Sequence, residues 1–299
     1  MPVSHQDLFL LSRCAISAAY EAGHYISAKS SDFRQLTDKV VPGGSLASQV
    51  VTEVDLASQE LILKHLLPTC EWFDLGMLAE EGQADHSRHE KAYFWCVDPL
   101  DGTLPFTEGV AGYAVSIALV QKDGTPEIGV IYDPLGQICY HAIRGHGMFR
   151  NGIRFERKQA WVPASDQSIR VFIDRSMWAD PRFEGFQQDM TAWAKTQGWA
   201  GIQVESGAGG AMNACWGLEQ APSCYVKYPK KELGGGSLWD FAATACLYPA
   251  WGAVVTDIFG KPLDLNRPDS TFMNVGGLCY ATDHEISHWI QEWWKSHSK

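Results

Sequence analysis

The chain has no block of five like charges. Its nearest approach to a basic cluster is Lys227, Lys230 and Lys231, in a protein of formal net charge −11. Affinity for a phosphodiester backbone needs a broad basic surface, so nucleic acid is not an expected partner. The eight cysteines (Cys14, Cys70, Cys96, Cys139, Cys215, Cys224, Cys246 and Cys279) form no C-x-x-C pair. Zinc and a disulfide framework are therefore not expected, and the thiols read as free and buried in a reducing compartment. There is no apolar run of the roughly 18 residues a bilayer span requires, so no membrane association is expected. The first residues lack the basic start of a signal peptide, and polar residues break their apolar positions at helical spacing. The expected location is the cytoplasm.

What is present is ordinary globular material. Of 299 residues, 45% are hydrophobic and 20% charged, with twelve Trp and thirteen Phe to build a core. That suffices for one large α/β unit or two intimately packed halves. Residues 5–28 carry an apolar stripe (Leu8, Leu11, Ala15, Ile16, Ala19) and predict a helix. Residues 29–50 are polar, with Pro42-Gly43-Gly44-Ser45 predicting a loop. Thr52-x-x-Asp55 reads as the start of a second helix that stops before Pro68, and residues 75–90 read as an acidic loop. Tyr93–Val97 predicts a strand ending at Asp98, and three strand candidates with turns at Asp123-Gly124 and Pro134–Gly136 predict an antiparallel meander over 112–150. After residue 160 strands and helices alternate, which argues for a layered α/β second half. The expected division is 1–160, an α+β half with the acidic motifs, and 161–299, an α/β half that completes the site, in one compact unit.

The most informative segment is Asp98-Pro99-Leu100-Asp101-Gly102-Thr103. A strand delivers Asp98 to its carboxyl end, and Pro99 forces a turn that brings Asp101 round three residues later. The Leu100 carbonyl is a third hard oxygen, and Gly102 lets an anion approach the backbone closely. Oxygen ligands with no neighbouring His or Cys suit magnesium, manganese or calcium. An acidic protein can bind a phosphorylated small molecule once such ions reverse the local charge. Each acid also has an ordinary explanation. Asp-Pro and Asp-Gly are common turn dipeptides, Glu80-Glu81 lies in an acidic loop, Ser237-Leu-Trp-Asp240 fits a capping box, and Asp55 fits the third helical position after a Thr52 cap. Taken together, Asp55, Asp98, Asp101 and Asp240 all fall where a helix begins or a strand ends, the places where α/β folds put their sites.

These segments resemble the inositol monophosphatase family of lithium-sensitive, metal-dependent sugar phosphatases. The residues that carry the resemblance are Val51-Thr52-x-x-Asp55, Leu78-Ala-Glu80-Glu81, the Asp98–Thr103 hexamer, Ala114–Leu119, Gly145-x-Gly147-x-Phe149-x-Asn151-Gly152 and Trp239-Asp240-Phe-Ala-Ala243, in family order. The resemblance implies a layered α-β-α-β-α sandwich and an enzyme holding two to three Mg2+ ions, with Mn2+ as an alternative. Glu80, Asp98 and the Leu100 carbonyl would hold one ion; Asp98, Asp101 and Asp240 a second; and a third would sit near Glu80. Thr103, oriented by Asp55, would polarise the attacking water, while the Gly102 and Thr103 amides would bind phosphate oxygens. Gly209, Gly210, Ala211, Glu232 and Lys231 would meet the leaving group of a small phosphorylated substrate. Inhibition by lithium and a homodimer are implied in the same way.

Residues 104–109, Leu-Pro-Phe-Thr-Glu-Gly, match neither the inositol phosphatases nor the bisphosphate nucleotidases. Three substrates therefore stay open: a polyol phosphate such as inositol monophosphate, a 3′(2′),5′-bisphosphate nucleotide, and a sugar bisphosphate of the fructose-1,6-bisphosphate kind. Lys230 and Lys231 offer positive charge for a second phosphate. A haloacid-dehalogenase-type phosphatase would need its acids at i and i+2, where this chain has i and i+3. A catalytically inactive metal-binding scaffold would not require both Asp55 and Thr103.

Overall fold

The structure, a computed structural model, describes residues 3–37, 45–82, 86–157 and 162–298. Two long helices, α1 (His5–Thr37) and α2 (Ser45–Phe73), cover one face of a seven-stranded sheet. Its strands run in chain order: β1 (Gly76–Ala79), β2 (Tyr93–Asp101), β3 (Ala114–Gln121), β4 (Pro126–Asp133), β5 (Ile138–Ile143), β6 (Met148–Arg150) and β7 (Ile153–Arg154). β1 is parallel to β2, and the rest form an antiparallel meander. A five-residue helix, α3 (Thr103–Thr107), follows β2.

The second sheet has the order β11-β12-β10-β8-β9. Its strands are β8 (Ser168–Ile173), β9 (Gly201–Ser206), β10 (Ser223–Lys227), β11 (Val254–Thr256) and β12 (Leu278–Ala281). β8, β9 and β10 are parallel, as expected of strands joined through helices. The helices of this half are α4 (Phe183–Thr196), α5 (Gly210–Glu219), α6 (Leu238–Trp251) and α7 (His284–His297).

Three buried clusters fill the four interfaces between five layers. Trp95, Val97, Ile117 and Val130 point from the first sheet to α1 and α2, while Phe94, Cys96, Ala118 and Ile131 point the other way, to α5 and α6. That two-sided burial is why Tyr93–Val97 is apolar without alternation. α5 and α6 in turn meet Phe172, Tyr225 and Tyr280 of the second sheet, whose outer face carries α4 and α7 on Ile169, Val171 and Val226. The order is α-β-α-β-α, the layering the resemblance implies. α6 is buried by a sheet on each side, so its sequence, LWDFAATACLYPAW, is apolar all round. The approach is close. A Cβ on Gly129 of β4 would stand 2.2 Å from the Ala243 carbonyl oxygen.

Several sequence readings need correction. α1 runs nine residues beyond the predicted end at residue 28, and α2 begins at Ser45, so helix occupies most of the predicted loop; residues 38–44 of that loop lie outside the described residues. Thr52 and Asp55 are interior to α2, so Asp55 is no helix-start residue. α2 also continues through Pro68 to Phe73. The turn after the proline is held by one local and one tertiary bond: the Thr69 hydroxyl donates to the Leu66 carbonyl (2.6 Å) and accepts from the buried Trp95 indole (2.9 Å). The acidic loop conceals β1, and β2 runs on to Asp101. The expected boundary near residue 160 lies outside the described residues.

Candidate active site

Asp98 and Asp101 are three residues apart, a spacing that puts side chains on opposite faces of a regular strand. β2 escapes this by a bulge. Asp98 pairs with Ser116 and Asp101 with Ala114, so three steps on β2 match two on β3. The extra residue resets the phase and turns both carboxylates to one side. Leu100, buried between them, donates its N–H to Asp98 Oδ1 at 2.9 Å and tightens the turn. Gly102 follows with φ +83°; a Cβ there would stand 2.6 Å from the Gly112 carbonyl oxygen and 3.2 Å from the Gly209 nitrogen. Only glycine fits this crossing of three backbone segments. Thr103 is exposed at the start of α3.

The middle layer supplies the rest. α6 begins at the same point, fixed to the first sheet by the Ser116 hydroxyl donating to the Trp239 carbonyl at 2.8 Å. Its first turn carries Asp240, which accepts the Ser237 N–H at 3.1 Å, the hydrogen bond of the expected capping box. Carboxylate oxygens of Asp98, Asp101 and Asp240 all lie within 4.8 Å of one another. Glu80, just after β1, reaches Asp98 and receives a hydrogen bond from the Trp239 indole. Asp55 comes in from α2, whose Gln59 also grips the Glu81 backbone through N–H and carbonyl. α2 packs on α3, which bears Thr103.

The electrostatics are those of crowded acids. Burial, then Glu80, Asp101 and Asp240, hold the Asp98 carboxyl well above the usual carboxylate range. Burial and Asp240 raise Asp101, against the N–H groups of Ala211 (2.8 Å) and Gly210 (3.1 Å), which donate to it. Asp240 is pushed up to about 6 by burial, with Lys227, Ser237 and Asp98 working the other way. Asp55 is pushed up to about 7 by burial and then by Glu81 and Glu80. Glu80 keeps an open side, yet lost hydration on its inner side and the charges of Asp240 and Glu81 push it up to about 7. Carboxyls this close need a proton or a cation between them.

Gly210 and Ala211, expected to meet substrate, hold Asp101 in this structure, and a Cβ on Gly209 would stand 2.4 Å from Asp101 Oδ2. Lys230, Lys231 and Glu232 are exposed on the loop before α6, where the Asn274 side-chain amide donates to the Lys230 and Glu232 carbonyls. Three contributors escaped the sequence reading. They are the Trp239 indole, Asp174 just after β8, and Lys227 at the end of β10, whose ammonium meets Asp174 Oδ2 at 2.5 Å. Asp174 and Lys227 had a signal, since charged residues ending parallel strands occupy the usual ligand crevice. At the rim, the Arg175 guanidinium grips both Glu108 carboxylate oxygens, joining the turn after β8 to the end of α3. A separate cavity of about 600 Å³ opens at the other end of α6 and contains none of these residues.

A cluster of buried acids at the carboxyl end of a strand, facing a glycine crossing and an exposed threonine, suits hard cations and a phosphate. Comparison with known proteins agrees. The sequence profile of the inositol monophosphatase family matches residues 8–297. The chain is 32% identical over 228 residues to the 3′(2′),5′-bisphosphate nucleotidase CysQ of Salmonella typhimurium, covering 76% of this chain and 83% of that one. It is 25% identical over 248 residues to the inositol-1-monophosphatase of Bacillus subtilis, covering 81% and 83%. The inositol monophosphatase structure from Anabaena superposes with a TM-score of 0.69 at 21% identity, covering 96% of this chain and 95% of that one. The class is that of the metal-dependent phosphomonoester hydrolases. Within it, the chain belongs to the inositol monophosphatase family. Among the described residues no helix is long and apolar enough to cross a membrane.

Proposed function

We propose that the chain hydrolyses a small phosphorylated metabolite with magnesium, nucleoside 3′,5′-bisphosphates being the favoured substrate class. The observation that carries the hydrolase reading is the approach of Asp98, Asp101 and Asp240 to within 4.8 Å from two distant stretches of chain. The donor set fits the ion. It consists of carboxylate oxygens, which suit Mg2+ or Mn2+ and disfavour zinc. The substrate class is supported by the 32% identity to a bisphosphate nucleotidase.

Asp98, Asp101, Asp240 and Glu80, with the Leu100 carbonyl, are the residues to hold two or three ions. The chemistry that bound divalent ions supply is acidification of water and neutralisation of charge on the departing oxygen. Around them this chain's groups do the positioning. The Trp239 indole aims Glu80, and the Gly210 and Ala211 amides fix Asp101. Gly102 and Thr103 present N–H groups to the phosphate. Thr103, oriented by Asp55, directs a water at phosphorus. The new P–O bond forms from the water, the ester P–O bond breaks, and a proton passes to the leaving alkoxide. Gly209, Lys231 and Glu232 border the side where that leaving group departs.

A second reading, hydrolysis of an inositol-type polyol monophosphate, is favoured by the Bacillus subtilis relative. Release of inorganic phosphate from adenosine 3′,5′-bisphosphate and from inositol 1-phosphate tests both. Magnesium-dependent release from the first, at the higher kcat/KM, is expected. Undiminished release in EDTA would refute the mechanism, and a preference for inositol 1-phosphate would refute the substrate class.

A further inference from the structure

We infer that Lys227 recognises the second anionic group of the substrate and so determines preference for a bisphosphate over a monophosphate. The inference rests on the hydrolase reading above and adds a residue to it.

Lys227 and Asp174 are neighbours by register. β8 and β10 are parallel with Ile173 opposite Val226, so the next residue on each strand, Asp174 and Lys227, emerges side by side at the carboxyl edge of the second sheet. The Lys227 ammonium lies 2.5 Å from Asp174 Oδ2 and sits over the Phe241 ring, 4.9 Å from its centroid. The Tyr225 hydroxyl donates to the other oxygen of Asp174 at 2.7 Å, which fixes the carboxylate. Phe241 is the residue after Asp240, and the positive charge of Lys227 acts on Asp240 directly. A buried cation therefore stands beside the acid cluster. The other two lysines of the sequence cluster are exposed, and Lys230 acts instead on Asp180.

Position and chemistry both point to a ligand. An ammonium has three donors, and the Asp174 carboxylate takes one of them. The carboxyl edge of parallel strands is where open α/β sheets bind ligands. The phosphate under attack belongs at the end of β2, by Gly102 and Thr103, and Lys227 stands at the edge of the other sheet, over the Phe241 ring at the start of α6. A partly desolvated ammonium there makes strong charge-assisted bonds to a phosphate. A neutral polyol or nucleoside leaving group offers nothing of matching charge.

The test measures kcat and KM for adenosine 3′,5′-bisphosphate and adenosine 3′-monophosphate with magnesium, in the wild type, Lys227→Met and Lys227→Arg. Lys227→Met is expected to raise KM for the bisphosphate roughly 30-fold more than KM for the monophosphate, with any fall in kcat shared by the two substrates. Lys227→Arg should recover most of the loss. Because Lys227→Met leaves Asp174 unpaired, the double variant Lys227→Met/Asp174→Asn, checked by thermal melt, must show the same split between substrates. Equal losses on both substrates would make Lys227 a mere support of Asp240 and overturn the inference, as would no loss at all. A wild type that releases phosphate from neither substrate would instead sink the hydrolase reading, and this inference with it.

Discussion

The carboxyl edges of the two sheets meet at the start of α6, and they are charged in opposite styles. The first sheet brings Glu80, Asp98 and Asp101, which among themselves have only repulsion and shared protons. The second brings Asp174 and Lys227, a pair that neutralises itself. Asp240, between them, feels both, raised by burial and relieved by Lys227. The contrast shows how one crevice can divide its work. An edge that cannot satisfy its own charge recruits cations, and an edge already balanced can lend its ammonium to an anion without collapsing when empty.

The sharpest way to break this comparison is to remove one acid. Asp98→Asn and Asp240→Asn should each lower kcat/KM by about 10^3-fold or more, the several kcal/mol of charge stabilisation that bound metal supplies. The far-UV circular dichroism of both variants should match the wild type, because the amide removes repulsion from a buried cluster. Undiminished turnover in either variant would take that residue out of the site. Next in size, Trp239→Phe keeps the ring and deletes the N–H that reaches Glu80. Magnesium affinity, read by titration calorimetry, should fall about 10-fold, the usual loss when a ligand's orienting hydrogen bond goes. An unchanged affinity would show that Glu80 needs no indole to aim it.

The charge contrast also predicts a pH signature. Asp55, Glu80 and Asp240 have folded-state pKa values of about 7, 7 and 6, above those of free carboxyls. The folded protein therefore binds more protons than the unfolded chain between about pH 4 and 7, and stability without metal falls as pH rises through that window. In EDTA, Tm should drop by several degrees from pH 5 to pH 8, and magnesium should raise Tm most at pH 8, where it replaces the lost protons. A metal-free protein that grows more stable over that range would contradict the charge assignment. The smallest effect concerns the layer between the edges. Gly129→Ala presses on the Ala243 carbonyl and should cost about 1–3 kcal/mol in denaturant unfolding. kcat of the folded fraction should stay near wild type, and a large loss would mean that α6 sets the acids less rigidly than its burial suggests.

What the sequence made legible follows from how local each signal is. Asp98, Leu100, Asp101 and Gly102 lie within five residues and declare their turn directly. Glu80, Asp55 and Asp240 each had an ordinary explanation; a shared place at helix starts and strand ends linked Asp55 and Asp240 to the turn, and only the resemblance added Glu80. For Asp55 that explanation fails outright, since α2 begins at Ser45. β1 was concealed because Gly76–Ala79 is short and flanked by acidic residues, and it exists through pairing with β2. The continuation of α2 past Pro68 depends on Trp95, which lies 26 residues from Thr69. Lys227 looked like one member of a small basic cluster. Its separation from Lys230 and Lys231 comes from the register of β10 on β8, a pairing that no local pattern encodes. The partner of the Gly210 and Ala211 amides, Asp101, is likewise more than a hundred residues away.

The most direct measurement is the stoichiometry of bound Mn2+ by electron paramagnetic resonance, for the wild type and for Asp240→Asn. If acids from both halves share their cations, the wild type binds at least two ions per chain and the variant loses one of them while keeping another. A single ion in the wild type, or identical binding in the two proteins, would contradict the account.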